Sequence, residues 1–235
     1  MMLPKLNTPT YTLVLPSTNE EVKYRPFLVK EQKLLLMAQE SDDQKDMLRT
    51  TSEIVNACTF GKVDAKVSPI FDIEFVFLKL RAKSVGETAQ INVLCPDDNE
   101  TYVDTSVNLE EIEVQISDDH SNEVVLTDTV KMVMKYPKLD DIKGFSASDS
   151  GVKNIFNIMK TCIYEVHDGL QVYNRVDMTD KDIDDFIEQM DTKQFEKITQ
   201  FFETMPRLRH MISVTNPKTN VTSEVLLEGL ESFLG

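Results

Sequence analysis

Side chains able to move a proton near neutral pH are scarce in this chain: His120, His167 and His210 are its only histidines, and they lie far apart in sequence. His120 follows Asp118-Asp119 in a polar stretch and reads as a loop residue. His167 precedes Asp168-Gly169, a turn signal, and His210 beside Arg207 and Arg209 reads as a solvated strand edge. The three cysteines, Cys58, Cys95 and Cys162, are widely spaced and odd in number, which predicts reduced thiols. Cys95-Pro-Asp-Asp98 has the outline of half a zinc knuckle, with a carboxylate where the second thiolate would stand. No second cysteine pair exists to complete a tetrahedral set, so a turn stiffened by Pro96 is the better reading. Asp97, Asp98, Glu100 and Asp104 lack the mid-loop glycine and the closing bidentate Glu of a calcium loop. Asp182-Ile-Asp184-Asp185 reads as the solvated face of a helix. No nucleophile elbow, phosphate-binding loop, dinucleotide fingerprint or HExxH helix is found, and seven glycines leave little material for a phosphate cradle. The residues therefore predict no catalytic group, no metal ligand set and no cofactor.

One basic cluster, Arg207, Arg209 and His210, stands near Phe201-Phe202. Basic and aromatic residues together can hold nucleic acid. The chain, however, carries 40 acidic against 25 basic residues, and a net charge of −15 repels phosphate backbones and anionic membranes. Docking to a protein is the stronger reading, and Arg25, Arg207, Arg209, Phe233 and Leu234 are the candidate contacts. The charge fits either simple solubility or a partner with a basic surface. Eleven methionines could form an adaptable surface, but Met37, Met159 and Met190 fall at core spacing.

The elements that must position these residues follow from hydrophobic period. Residues 10–15 and 22–28 alternate around a Pro-Ser-Thr-Asn turn and predict a hairpin. Helices are expected over 30–40 and 42–58, stopped by Phe60-Gly61-Lys62, and a largely buried helix over 71–81, with strand as the alternative for 73–78. Residues 90–94 and 101–107 predict a second hairpin, and 111–116, 123–126 and 130–135 short strands. A helix is expected over 152–165. Thr179 caps one running to Met190, and Asp191 caps another that Pro206 ends. A third hairpin, 208–215 with 221–226, turns at Asn216-Pro-Lys-Thr-Asn220, and one or two helical turns close the chain. No internal repeat is read beyond a loose recurrence of hairpin and helix.

A composition of 41 % hydrophobic and 28 % charged residues is that of an ordinary globular protein. A chain of 235 residues can bury roughly 70–75 % of its unfolded surface without staples. No run is long and apolar enough to span a bilayer and no leader pattern is read, so a cytoplasmic protein without stable membrane insertion is expected. The predicted fold is α+β, β-hairpins alternating with amphipathic helices, as one body or two lobes. The expected division is an N-terminal α+β lobe over 1–136, a linker or mobile loop over 137–151, and a helical lobe with a C-terminal hairpin over 152–235.

Longer stretches resemble a known family, the small baseplate hub proteins of T-even-type bacteriophages. They are Leu3-Pro-Lys-Leu-Asn-Thr-Pro-Thr-Tyr11, Leu15-Pro-Ser, Lys23-Tyr-Arg-Pro-Phe-Leu-Val-Lys-Glu31, Asn56-Ala-Cys-Thr-Phe-Gly-Lys62 and Phe77-Leu-Lys-Leu-Arg-Ala-Lys-Ser-Val-Gly86. Leu126-Thr-Asp, Met134-Lys-Tyr-Pro137, Phe201-Phe-Glu-Thr-Met-Pro206 and Val214-Thr-Asn-Pro-Lys-Thr219 continue the likeness in the same order. The resemblance implies a non-enzymatic protein of contractile-tail assembly, acting in the bacterial host cytoplasm as a component or assembly factor of the baseplate hub and carried into the virion tail baseplate or released. Its implied partners are hub, tape-measure or tail-tube-initiator proteins, with self-association also open. The resemblance also implies a thiolate pair in several relatives at the hairpin where this chain has Cys95 and Asp98, a departure that weighs against zinc. The N-terminus is also similar to that of tail assembly chaperones, which coat the tape-measure protein and leave. A metal-dependent enzyme or a nucleic-acid binder is the remaining alternative, disfavoured by the missing ligand sets and the acidic balance.

Overall fold

A computed structural model describes residues 6–41, 44–142 and 151–233. The chain opens with strands β1 (Tyr11–Val14) and β2 (Glu21–Tyr24), then helices α1 (Val29–Ser41), α2 (Gln44–Cys58) and α3 (Ile70–Ser84). Strands β3 (Thr88–Leu94), β4 (Tyr102–Asn108) and β5 (Glu113–Gln115) follow. Next come β6 (Glu123–Val125), β7 (Val130–Met134), α4 (Leu139–Ile142), α5 (Gly151–Cys162), β8 (Ile163–Asp168), β9 (Gln171–Asn174), α6 (Asp180–Glu188) and α7 (Thr192–Thr204). Strands β10 (Arg207–Thr215) and β11 (Thr222–Glu228) and a 3₁₀ turn over Leu230–Phe233 end the described chain. The sheets are small and antiparallel, and the fold is α+β.

Two compact units result, and the second, Ile116–Pro206, is inserted into the first. The cause is β10, which pairs with β11 on one edge and with β5 on the other, Arg207 opposite Gln115 and Arg209 opposite Glu113. This division differs from the one expected at 137–151. That segment joins β7 to α5 and β8, and β7 and β8 are neighbours in one sheet; its residues 143–150 lie outside the described chain.

Helix α3 is the spine of the first unit. Its sequence is apolar on all sides, and ten of its residues are buried, Ile73, Val76, Leu78 and Leu80 almost completely. Each such side chain contributes about 1.5–3 kcal/mol by leaving water. Three hairpins of this unit close with one loop design: Leu15-Pro16-Ser-Thr-Asn19, Cys95-Pro96-Asp-Asp-Asn99 and Asn216-Pro217-Lys-Thr-Asn220. In each, the asparagine takes a positive φ of 54–59° and its N–H donates to the carbonyl four residues back. Proline presets the first turn residue and asparagine tolerates the left-handed conformation, so one pattern suits all three. This repeat was available in the sequence and lies below the scale of whole elements.

In the second unit the sheet runs β6-β7-β8-β9, and Val124, Met132, Val166 and Tyr173 are in register across it. The first three join Met159, Ile183, Ile187, Ile198 and Phe201 of the helices in one apolar core. The predicted caps are present: Thr179 with Asp182 and Asp191 with Gln194 form reciprocal capping boxes. The helix expected over 152–165 ends at Cys162, and Ile163–Asp168 is a strand instead. Alternation in Ile-Tyr-Glu-Val-His-Asp and pairing on both edges outweigh the helical period there.

Candidate functional site

The groups with chemical potential are each held in local structure. The Cys58 and Cys162 thiols are fully buried, and burial pushes them up to about 11 and about 12. Cys95 is also buried and its thiol is likewise raised by burial. Asp98, the residue at the would-be second ligand position, has its oxygens engaged. Oδ1 accepts from the Glu100 N–H at 3.1 Å and the Thr101 N–H at 3.0 Å, and Oδ2 from the Thr101 hydroxyl at 2.6 Å. The hydrogen bonds from Thr101 hold this carboxyl far below the usual carboxylate range. Asp97 accepts from Asn216 Nδ2 at 3.0 and 3.1 Å and from the Thr219 hydroxyl at 2.6 Å, tying the β3–β4 loop to the β10–β11 loop. Among the described residues no group of three or more His, Cys, Asp or Glu is arranged to hold a metal ion.

His120 is a loop residue, as its polar surroundings predict, but it is half-buried and fully engaged. Its Nδ1 lies 3.0 Å from Thr204 Oγ1 and its Nε2 3.0 Å from Tyr136 OH, with its ring against those of Tyr136 and Phe201. The Thr204 hydroxyl donates to the Gln200 carbonyl at 2.8 Å, so it accepts from Nδ1–H and leaves Nε2 to accept from Tyr136. That network suits a neutral imidazole, and burial lowers its pKa from 6.5. His167 Nε2 sits 2.8 Å from Glu165 Oε2 along β8.

The partner-contact candidates fall in different settings. Arg25 is mostly buried; its Nη2 donates to Glu31 Oε1 at 2.9 Å and its Nη1 to the Pro26 carbonyl at 3.0 Å. Burial pushes the Glu31 carboxyl up, but hydrogen bonds from Arg25 and the Leu28 N–H bring it below its ordinary value. Arg207 and Arg209 share Glu228: Arg207 Nη1 donates to Oε1 and Arg209 Nε to Oε2, the latter at 2.7 Å. Both arginines stay part-exposed on the outer face of the sheet, beside exposed Met211 and Leu226. Phe201, by contrast, is a core residue of the second unit. Phe233 is wholly buried in the first unit and so has a packing role, because a side chain with no accessible surface presents nothing to a partner. Leu234 lies outside the described residues. Spacing did not indicate the buried charges of α3. Asp72 accepts from the backbone N–H and hydroxyl of Ser17, and Lys79 donates to the Leu109 and Glu110 carbonyls at 3.3 and 2.7 Å. Their one signal was a charge set within an otherwise apolar helix.

The family described as T4 bacteriophage base plate protein matches residues 8–235. The chain belongs to this family. No curated protein and no solved structure matches it. As a phage baseplate protein it works among other proteins of the baseplate and tail. No helix of this baseplate protein, among the described residues, is long and apolar enough to cross a membrane.

Proposed function

We propose that the protein is a non-enzymatic part of the baseplate hub, or a factor in its assembly, acting through protein contacts. The family match over nearly the whole chain carries this reading. It is supported by the structural employment of the reactive side chains: buried thiols, an imidazole between two hydroxyls, and carboxylates that close turns. The outer face of β10–β11, with Arg207, Arg209, Met211 and Leu226, offers one contact surface. Double replacement of Arg207 and Arg209 by Ala weakens assembly if that face docks a partner, and unchanged assembly removes it from consideration.

The deciding experiment compares purified virions with infected-cell lysate, counting peptides of this chain by mass spectrometry after pull-down of a tagged copy. A few copies per tail mark a structural hub subunit. Absence from virions, together with capture of the tape-measure protein, marks a tail assembly chaperone and overturns the structural assignment.

A further inference from the structure

Five of the six arginines are held by carboxylates: Arg25 by Glu31, Arg49 by Asp46 and Glu53, Arg175 by Asp180, and Arg207 and Arg209 by Glu228. Arg81 is the exception. Its Nη1 is buried with no hydrogen-bond partner among the described residues. Burial lowers its pKa. A guanidinium with one nitrogen buried and unpartnered loses hydration there without a bond in return, and a carboxylate arriving at that nitrogen would supply it.

Arg81 lines a groove of about 240 Å³ between α1, the start of α2 and the end of α3. Phe27 and Phe77, stacked with centroids 6.3 Å apart, line it together with Leu35, Leu36 and Val85. Leu36 and Val85 are 54 % and 64 % exposed, so the apolar wall continues onto the surface. Among the described lining residues Arg81 carries the only charge, in a protein whose net charge is −15. A groove of this volume is below the roughly 300–1,000 Å³ of pockets that enclose a whole ligand, and suits one or two anchoring side chains of a larger partner.

We propose that this groove receives an apolar segment of another baseplate or tail polypeptide, and that a carboxylate of that segment pairs with Arg81. The apolar walls exclude water around the pair, which makes the charge contact selective for a carboxylate over its amide. This assignment rests on membership of the baseplate family and is independent of the hub reading, which virion counting tests separately.

The test uses the full chain and overlapping peptides tiled across the other baseplate and tail proteins of the same phage, with binding read by fluorescence anisotropy. Peptides that bind are expected to combine apolar residues with an Asp, a Glu or a terminal carboxylate. Arg81→Met keeps the apolar stem and removes the charge; it is expected to weaken those peptides about tenfold or more. Amide substitution in the peptide has the same effect on the natural chain and little further effect on Arg81→Met. Leu36→Gln, on the exposed wall, weakens binding with no change in Tm. For Arg81→Met itself the Tm is expected to hold or rise, because the buried, unpartnered Nη1 is removed and the apolar stem is kept. Equal peptide binding by Arg81→Met, no binding peptide at all, or a Tm that falls in Arg81→Met would each overturn the proposal. So would self-association of the natural chain that Arg81→Met abolishes, since the occupant would then be a second copy.

Discussion

The two units bury polar groups in opposite ways. Glu31, Thr50, Thr51, Thr59, Asp72, Lys79, Thr101 and Asn216, the buried polar and charged residues among those described, all fall in the first unit. The core of the second is built from apolar side chains and one thiol. The first unit assembles separate hairpins around α3, and backbone ladders alone do not fix where a hairpin sits on a helix. Directional pins do so: Ser17 to Asp72, Arg25 to Glu31, Lys79 to the chain at Leu109 and Glu110, Asp97 to Asn216. The second unit has one sheet, whose ladder sets strand positions, and helices with their own capping boxes, so an apolar interface suffices.

That contrast can be broken most forcefully through the cores. Leu80→Ala in α3 and Met132→Ala in β7 each remove a fully buried side chain and are expected to cost about 2–5 kcal/mol in denaturant melts. Hydrogen exchange read by mass spectrometry should rise first in peptides of the unit that carries the change; a uniform rise would mean the units do not unfold separately.

A smaller effect tests the pins. Asp72→Ala leaves two Ser17 donors unsatisfied and is expected to cost about 1–3 kcal/mol, with Ser17→Ala adding little in the double variant. Full additivity would show that the pair is not coupled. Among the described residues the second unit has no buried polar side chain for a comparable test.

The weakest effect is on pH dependence. His120 binds a proton less readily folded than unfolded, so its contribution is complete above 6.5 and is lost as pH falls below that value. Glu31 is lowered by its partners, so its contribution is complete above 4.5 and is lost only as pH falls through its depressed value. Acidification from neutral is therefore expected to loosen the second unit before the first, as read by exchange in their peptides. His120→Gln should flatten the early loss.

Much of the fold was legible locally. Thr179 and Asp191 as caps, the all-round apolar α3 and the three hairpins all follow from spacing within one or two turns of chain. The candidate contacts were legible only as residue types. Arg207 and Arg209 could be seen as a basic pair, but not that Glu228, about twenty residues on, holds both. Phe233 could be seen as apolar in the tail, yet its burial depends on how the chain end packs into the first unit.

By itself, then, the sequence determined the helices, their caps, the X-Pro-x-x-Asn loops and, through resemblance along most of its length, the baseplate family. These depend on dihedral preferences and hydrophobic period, which act between near neighbours. Only the tertiary structure decided that β5 and β10 pair across the inserted second unit, and that Ile163–Asp168 forms a strand. The same holds for Arg81, whose buried Nη1 has no hydrogen-bond partner among the described residues. Strand pairing and charge compensation act between residues brought together by closing long loops, and local spacing carries no record of which distant group will arrive.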